Sequence, residues 1–452
     1  MAISAEGRQR QPFSQAGTRR GVLAGTGAGG VAALLAACGQ AGTDGAGAAK
    51  TQAPATIQWW DQEPPAFKQF AEQWLPQFNA KNPNIRVEFS PRPPQWSEKL
   101  TAAMIGGTPP DVVAVFGDWF RTYQQQKQVI GLDKYLKASK FDATDFVQGQ
   151  WKGMQWGGQQ VAIPQYINPN VVFYSREHFG RAGVPFPKDD WTWEQLMDAA
   201  RRTLRGTPPK PDVWGFTSGF ANIAKYTCTV IWAQGGDFND PKDPNVFTFN
   251  KAENARAFQY AHDLLWKQQF SAKTNADLGG VDARNAMFAT GSVAISLDAG
   301  LAIQSWRDRG TTDWDIAPLP KGPGGRGERI AMDGYVITAG SKFPDQSWTF
   351  VQAVSDKEPN KLRAELALIM PARKSQLEAW NKVAPGKNLK AAFPSDAARP
   401  DPLGLWPKST DVNQAITPIF QRYYDKNEIG VTDALKQAQD AVIGVLGPSA
   451  GK

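Results

Sequence analysis

The chain after residue 54 alternates between two spacings of apolar residues. Three short runs, residues 55–60, 85–89 and 111–116, are rich in β-branched and aromatic side chains and predict strands. The segments between them, residues 65–79 and 97–105, carry apolar residues every three or four positions and predict helices. This order predicts a parallel sheet with helices on both faces.

The same alternation continues toward the carboxyl terminus. Further strands are predicted at residues 171–175, 214–217, 292–297 and 334–339. Further helices are predicted from about residue 119 and at residues 192–204, 224–234, 252–269, 283–289 and 346–354. The Pro- and Gly-rich residues 319–329 predict a loop. A chain of this length is too long for one core, so we expect an α/β protein with two domains or one two-lobed unit.

The amino terminus carries a weakly apolar stretch, TRRGVLAGTGAGGVAALLAACG at residues 18–39. It has no charge between Arg20 and Cys38 and is too short and too rich in Gly and Ala to span a bilayer. The arginine pair Arg19-Arg20 is typical of a twin-arginine export signal, and the LAAC sequence ending at Cys38 is typical of a lipoprotein cleavage site. We therefore predict a signal peptide at residues 1–37, a lipidated Cys38 and a flexible tether at residues 38–55. The alternative is an unstructured terminus with a chance cysteine.

The charge balance gives little support to nucleic-acid binding. The net charge is +7, but residues 1–37 contribute four arginines against one glutamate, so the chain from Cys38 onward is about +4. Lys and Arg form no cluster along the chain.

Cysteine and histidine are too scarce for several kinds of site. Once Cys38 is lipidated, only Cys228 remains, which excludes an internal disulfide. His178 and His262 are the only histidines, so a His-rich metal centre or a Ser-His-Asp triad is not expected, and no cofactor is predicted.

Tryptophan is abundant, with 17 in the chain, and several tryptophans stand beside carboxylates. Aromatic faces stack on the C–H faces of sugar rings, and carboxylates accept hydrogen bonds from sugar hydroxyls. Two such pairs, Trp60-Asp61 and Asp118-Trp119, follow predicted parallel strands, whose carboxyl ends form the usual ligand edge of a sheet. This placement predicts a carbohydrate site.

Short motifs occur along the chain in an order that matches a known family. They are TIQWWD (56–61), GTPPDV (107–112), AIP (162–164), VFYS (172–175), WTWEQL (191–196), QGG (234–236), MFATGSVAI (287–295), WDIAPLP (314–320), GYVITAG (334–340) and MPAR (370–373). In this order the chain resembles the bacterial extracellular solute-binding proteins of family 1, the maltose-binding-protein-like sugar-binding components of ABC importers.

The resemblance implies a two-lobed periplasmic-binding-protein fold (type II). It has parallel-rich sheets flanked by helices and a ligand cleft between the lobes. It places one lobe at residues 56–164 plus 331–370 and the other at residues 165–330 plus 371–452. The chain would cross between them near residues 164–171, 329–334 and 370–373.

The resemblance also implies which residues face the cleft. They are Trp60, Asp61, Asp118, Trp119, Tyr166, Asn168, Trp232, Asp298, Gly300, Asp333, Gly334, Arg373 and Trp406.

Several of these positions have a structural alternative. Trp60 could be a core residue, Arg373 could form a salt bridge between lobes, and Trp406 could be a lid residue. Asp298-Ala299-Gly300 stands where maltodextrin binders of the family have Gly-Pro-Trp, which argues against a maltodextrin ligand.

The function implied is a monomeric, non-catalytic binding protein. It would capture a sugar or oligosaccharide and deliver it to the ABC permease, while lipid-anchored at the outer face of the cytoplasmic membrane, in the periplasm or at the cell surface. One alternative is a binding protein for glycerol-3-phosphate or another anionic or polyol ligand, suggested by Arg373 and the positive charge. Another is a secreted glycoside hydrolase that uses Asp61 and Asp118 as acid and base.

Overall fold

The strands fall into two larger sheets and three two-stranded pairs within the residues that the computed structural model describes, 54–451 except 63, 241, 273–280, 368 and 397. In chain order they are β1 (Ala55–Asp61), β2 (Ile85–Pro91), β3 (Val112–Val115), β4 (Gln155–Trp156), β5 (Gln159–Gln160), β6 (Ile163–Pro164), β7 (Tyr166–Ile167), β8 (Asn170–Tyr174), β9 (Trp214–Ser218), β10 (Val293–Ala299), β11 (Asp315–Ala317), β12 (Arg329–Ile330), β13 (Gly334–Ile337), β14 (Met370–Pro371) and β15 (Arg399–Pro400).

Helices cover the faces of the two larger sheets. In chain order they are α1 (Pro65–Lys81), α2 (Trp96–Ile105), α3 (Gly117–Gln125), α4 (Asp133–Ser139), α5 (Gln148–Gly153), α6 (Arg176–Arg181), α7 (Trp193–Thr203), α8 (Cys228–Ala233), α9 (Ala252–Trp266), α10 (Val281–Ala289), α11 (Ala302–Asp308), α12 (Pro344–Val354), α13 (Lys357–Ala367), α14 (Leu377–Asn381), α15 (Pro402–Leu405), α16 (Ser409–Phe420) and α17 (Val431–Leu446). Short 3₁₀ turns occur at Lys374–Gln376, Leu389–Ala392 and Pro448–Gly451, and π-helical turns at Ile223–Thr227 and Gln421–Asp425.

The first sheet has the strand order β2-β1-β3-β13-β6. As predicted, β2, β1 and β3 are parallel, while β13 runs antiparallel to both β3 and β6. Side chains of β1 alternate, so that Ile57, Trp59 and Asp61 are buried on one face and Trp60 lies half-buried on the other. The first face packs against apolar residues of α1 and α12, and the second against Leu100 of α2.

The second sheet has the strand order β11-β8-β10-β9. Only β9 and β10 are parallel in it, because β8 runs antiparallel to both β10 and β11. One hydrophobic core beside this sheet includes buried residues of α7, α8 and α9. It also includes Val412 and Phe420 of α16 and Leu435 of α17. The carboxyl-terminal helices therefore complete the core on this side of the protein.

The chain passes between the two sheets near residues 164–170 and 330–334. It leaves the first sheet at β6, pairs through β7 with β14, and enters the second sheet at β8. It returns after β12 to reach β13 in the first sheet. Both sheets lie in one unit, Gln52–Lys452, so the lobe boundaries themselves remain predictions.

The helix expected at residues 224–234 begins differently from an ordinary α-helix. Its first turn, Ile223–Thr227, is π-helical, and α8 follows directly. The Asn222 side chain accepts a hydrogen bond from the Lys225 N–H at 3.1 Å, and Thr227 Oγ1 donates to the Phe220 carbonyl at 2.6 Å. The first bond is an N-cap that satisfies a free N–H of the opening turn, and the second holds that turn against the segment before it.

Candidate functional site

The carboxyl ends of β1, β2 and β3 bring four aromatic side chains to one edge of the first sheet. We call Trp60, Trp96, Phe116 and Trp119 the edge aromatic cluster. The Trp96 ring lies 5.6 Å from the Trp119 ring and 5.9 Å from the Phe116 ring, both in edge-to-face geometry. All four are half-buried, so the cluster has apolar faces supported from below and partly open to solvent. Parallel strands end at the same edge, which explains why residues 60, 96 and 119 meet here.

Arg92 supports this cluster from within the protein. Its guanidinium lies 4.6 Å from the centre of the Trp96 ring and 4.3 Å from that of Phe116. It also donates to Gln62 Oε1 at 2.5 Å and to the Ala114 carbonyl at 3.3 Å. Because Arg92 is buried and cation–π contacts strengthen when they are desolvated, it fixes the two rings in place.

Asp61 lies beneath the edge and is completely buried. Its carboxylate accepts hydrogen bonds from Gln165 Nε2 at 2.6 Å and from the Tyr335 hydroxyl at 3.1 Å. Arg363 in turn donates to the Tyr335 hydroxyl at 2.8 Å. Burial raises the pKa of Asp61, and the positive charge of Arg363 opposes that rise. The residue thus ties β1 to β13 and to the crossing between β6 and β7.

Tyr166 and Asp333 continue this buried network. Gln62 Nε2 donates to the Tyr166 hydroxyl at 2.9 Å, and Tyr166 is hydrogen-bonded to Asp333. Burial raises the pKa of Asp333 to about 6, while Arg329 and the Tyr166 hydrogen bond oppose the rise. Tyr166 lies in β7 and Asp333 in the segment between β12 and β13, so the structure brings together the two places where the chain passes between the sheets.

Asn168, Gly300 and Gly334 lie at close backbone contacts around the crossings. Asn168 Oδ1 accepts the Leu301 N–H at 3.2 Å, and the Gly300 N–H donates to the Pro169 carbonyl at 2.9 Å. A Cβ at Gly334 would lie 2.8 Å from the Ile163 carbonyl oxygen. At Gly334, therefore, only glycine lets β13 approach β6 so closely.

Asp298, in β10 of the second sheet, is paired with a buried arginine. Arg284 donates to Asp298 Oδ2 from Nε at 3.0 Å and from Nη2 at 2.9 Å. The Arg284 side chain is fully buried, and its guanidinium also lies 4.6 Å from the Tyr226 ring centre. A buried carboxylate held by two N–H donors has a structural role, and a ligand contact by Asp298 stays a prediction.

Trp406 and Arg373 are enclosed by protein. Trp406 is fully buried between Phe238 and Phe247, and its Nε1 donates to Asn239 Oδ1 at 2.7 Å. Arg373 Nε donates to the Ser355 carbonyl at 2.6 Å. This placement gives neither side chain an open face.

Two of the predicted positions fall outside what the structure describes. The side chain of Asp118, the second residue of α3, is one, and Cys38 is the other. Their roles remain predictions.

Sequence reasoning missed three residues of this region. Arg92 and Trp96 follow β2, and the rule that singled out the ends of β1 and β3 would have found them had it been applied to the third strand end. Arg399 lies with its guanidinium 4.0 Å from the Trp232 ring centre. No sequence signal links these two residues, because they are brought together only by the fold.

Arg121 connects α3 to the side of the second sheet. Its Nη2 donates to Asn245 Oδ1 at 2.6 Å, and its guanidinium lies 4.1 Å from the Trp156 ring centre. Burial lowers the pKa of Arg121 to about 10, and Asp243 opposes the change. The turn that holds Asn245 leads directly to Phe247, which belongs to the second sheet's core.

Two kinds of feature are absent from the described part of the chain. There, no group of His, Cys, Asp and Glu side chains is arranged to hold a metal ion. No helix there combines the length and apolar character that crossing a bilayer requires.

Comparison with known proteins gives a consistent picture. The family model described as bacterial extracellular solute-binding protein matches residues 60–361, more than half of the chain. A binding protein of Brucella abortus is 23% identical over 294 residues, which cover 62% of this chain and 67% of that protein. The sn-glycerol-3-phosphate-binding periplasmic protein of Escherichia coli is 21% identical over 285 residues, 60% of this chain and 62% of the relative.

A solved structure extends the comparison to the whole fold. The ABC substrate-binding protein of Listeria monocytogenes in complex with cycloalternan superposes with a TM-score of 0.72 at 20% identity. The superposition covers 88% of this chain and 99% of that one. It confirms the predicted two-lobed periplasmic-binding-protein architecture.

Proposed function

The chain belongs to the bacterial extracellular solute-binding proteins, and on this premise we propose that it captures a sugar or oligosaccharide and delivers it to the permease of an ABC importer. The observation that carries the proposal is the edge aromatic cluster, Trp60, Trp96, Phe116 and Trp119, at the carboxyl edge of the first sheet. Relatives and structural neighbours described as binding sugars or glycerol-3-phosphate support the same class of ligand.

The aromatic cluster suits a sugar because a pyranose ring has an apolar face and a polar rim. The ring would stack on the half-buried Trp faces, and its hydroxyls would bond to polar groups around the cleft. Arg92 and the buried Asp61 network hold the cluster in place before the ligand arrives, which reduces the ordering cost of binding. The protein would act as a monomer, with the ligand and the permease as its partners and no nucleic acid.

The contacts of Asp61 favour a binding protein over a glycosidase. A glycosidase needs one carboxyl group as acid and another as base or nucleophile beside the scissile bond. Asp61 is enclosed and engaged with Gln165 and Tyr335, which leaves it poorly placed for that chemistry. The alternative of an anionic ligand was suggested in part by Arg373. It loses that support, because Arg373 is engaged with the Ser355 carbonyl.

The direct test of the site is the Trp96→Ala variant. A thermal-shift screen of sugars first identifies a ligand, and calorimetry then compares the variant with the parent. We expect about tenfold weaker binding, corresponding to ~1.4 kcal/mol, because the variant loses a stacking face at the edge of the sheet.

The matched control is Trp214→Ala, which removes another half-buried tryptophan at the amino end of β9. It should leave the affinity unchanged. Equal affinity of the parent and Trp96→Ala for every sugar that binds would remove the edge aromatic cluster from the site.

We also propose that Cys38 carries the membrane anchor. Two acyl chains on this cysteine would each bury many CH₂ groups at about 0.8 kcal/mol per group, enough for stable attachment. The Cys38→Ala variant should therefore appear in the soluble exported fraction or as an uncleaved precursor. Cell fractionation and mass spectrometry measure this, and a variant that stays in the membrane fraction at the lipidated mass would contradict the anchor.

A further inference from the structure

A line of buried polar side chains connects the edge aromatic cluster to the segments where the chain passes between the sheets. In order along this line, the residues are Arg92, Gln62, Tyr166 and Asp333. All four are buried. We call them the buried relay, because each member contacts the next through a hydrogen bond.

The hydrogen bonds of the relay all run in one direction. Arg92 Nη2 donates to Gln62 Oε1 at 2.5 Å, and Gln62 Nε2 donates to the Tyr166 hydroxyl at 2.9 Å. The Tyr166 hydroxyl is in turn hydrogen-bonded to the Asp333 carboxyl group. Because a guanidinium can only donate and a carboxylate can only accept, the two ends fix the direction of the bonds between them. Each bond then polarises the next in the same sense.

At its first end the relay determines how the Arg92 guanidinium is held beneath the aromatic rings. Nη1 donates to the Ala114 carbonyl in β3 at 3.3 Å, and Nη2 donates to Gln62. The guanidinium lies 4.6 Å from the Trp96 ring centre and 4.3 Å from that of Phe116. One of the bonds that set the plane of this support therefore comes from the relay.

At its other end the relay reaches both crossings between the sheets. Tyr166 lies in β7, and Asp333 lies between β12 and β13. The Gln165 N–H donates to the Asp333 carbonyl at 2.9 Å, which holds the two crossing segments together. A change at Asp333 is therefore connected through three hydrogen bonds to Arg92 and to the two rings in contact with it.

The charged groups around Asp333 come from several elements. Arg329 of β12 and Arg92 favour its ionised form, and Asp401, beside α15, opposes it. Arg329 is itself ion-paired with Asp401. Burial raises the pKa of Asp333 to about 6, while the Tyr166 hydrogen bond opposes the rise. Asp333 therefore changes its charge in the range between pH 5 and pH 7.

Protonation of Asp333 changes the relay at its last bond. The ionised carboxylate accepts the Tyr166 proton, whereas a protonated carboxyl group can donate to the Tyr166 oxygen instead. The Tyr166 proton then loses its acceptor, and the hydrogen bonds no longer run in one direction from Arg92 to an anion. The Gln62 contact with Tyr166 and the Arg92 contact with Gln62 lose the polarisation that the anion supplied.

We propose that Gln62 and Tyr166 are positioning residues for the sugar site, through which the ionised Asp333 keeps Arg92 and the edge aromatic cluster in their binding geometry. The inference rests on the proposed function and adds a regulation of the same site. Protonation of Asp333 at the crossing weakens sugar binding at the edge of the first sheet.

The first test needs no sugar. In ¹H–¹⁵N NMR spectra of the full chain, the indole N–H signal of Trp96 is identified by its loss in the Trp96→Phe variant. Its chemical shift should change between pH 7.5 and pH 5 in the parent, because the guanidinium against the ring responds to the charge of Asp333. In Tyr166→Phe the relay is interrupted while Asp333 remains, and the Trp96 signal should no longer follow the pH.

The second test measures sugar affinity by calorimetry, with glucose, galactose, maltose and cellobiose and any sugar found in the thermal-shift screen as probes. At pH 7.5 the Tyr166→Phe variant should bind about threefold to tenfold more weakly than the parent, because one hydrogen bond of the relay is lost. In the Trp96→Ala background the same substitution should cost about twofold or less, since it acts through the cluster.

The matched control is Tyr423→Phe. Tyr423 is also a buried tyrosine, and its hydroxyl donates to the Phe258 carbonyl at 3.3 Å in the core beside the second sheet. It should leave sugar affinity unchanged at both pH values. The two Tyr→Phe variants should lower the melting temperature by similar amounts, because each loses one hydrogen bond of a buried hydroxyl.

The pH profile identifies the titrating group. The parent should bind sugar about threefold to tenfold more weakly at pH 5 than at pH 7.5, and Asp333→Asn should bind at both pH values as weakly as the parent at pH 5. Burial also raises the pKa of Asp61, which both Asp333→Asn and Tyr166→Phe retain. A pH dependence that survives in these two variants would assign the effect to Asp61 and overturn the relay.

The outcomes separate this inference from the proposed function. Sugar binding that is sensitive to Trp96→Ala but unaffected by Tyr166→Phe, or a Trp96 signal that follows pH equally in parent and Tyr166→Phe, would overturn the relay and leave the sugar site intact. Absence of binding by every sugar in the set and in the screen would overturn the proposed function and, with it, the role of the relay in sugar binding.

Discussion

Replacing Asp298 by alanine is expected to lower the free energy of unfolding by about 3 to 5 kcal/mol. Asp298 is the carboxylate partner of Arg284, and both side chains are almost completely buried. Without it the buried guanidinium loses its carboxylate partner, which costs far more than the loss of an exposed ion pair. Urea unfolding followed by circular dichroism gives the change directly.

The matched control is Asp308→Ala, which breaks the exposed pair with Arg307 and should cost less than about 1 kcal/mol. A second check is the double variant Asp298→Ala with Arg284→Met, which removes both charges and should recover part of the loss. If Asp298→Ala unfolds like the parent but no longer binds sugar, Asp298 is a ligand contact, as the family resemblance predicts, and the structural role is wrong.

The stability of the protein should also contain a pH-dependent contribution from Asp333. Burial raises the pKa of its carboxyl group from 3.8 to about 6, so the folded chain keeps a proton that the unfolded chain has already released. The contribution is fully present below pH 3.8 and is lost as the pH rises through 6. One pKa unit corresponds to about 1.4 kcal/mol, so the loss amounts to about 3 kcal/mol.

The neutral variant Asp333→Asn isolates this contribution. Unfolding free energies of parent and variant, measured from pH 4 to pH 7, should diverge in slope, with the parent losing stability relative to Asp333→Asn. Asp308→Asn, at an exposed position, should follow the parent. Parallel curves for parent and Asp333→Asn would mean that Arg329, Arg92 and Tyr166 keep the carboxylate charged throughout this range.

The first sheet shows how much of the fold the sequence predicts. Apolar spacing predicted β1, β2 and β3 and the helices between them to within a few residues, because each element buries one regular stripe. The two-residue alternation of the strand also predicts the burial of Asp61. Alternation along β1 puts Asp61 on the face of Ile57 and Trp59, inside the core, and Trp60 on the opposite face. A strand end is therefore not sufficient to predict exposure.

Other positions could not have been assigned without the fold. Arg373 is engaged with the Ser355 carbonyl, and Trp406 with the Asn239 side chain, a partner more than 160 residues away along the chain. No local period encodes such partners. The contact between Arg399 and Trp232 is of the same kind.

The contact between Arg121 and Asn245 has a consequence for kinetics. Any separation of α3 from the turn that carries Asn245 has to break a partly buried 2.6 Å hydrogen bond, whereas a sugar arriving from solution need touch neither residue. For a sugar enclosed between the two sheets, the strength of this contact would set how long the sugar stays, because the dissociation rate includes the breaking of the contact. The association rate of the sugar would hardly change. The residence time of the bound sugar has to match the turnover of the permease, and it could be adjusted at a position that does not contact the sugar.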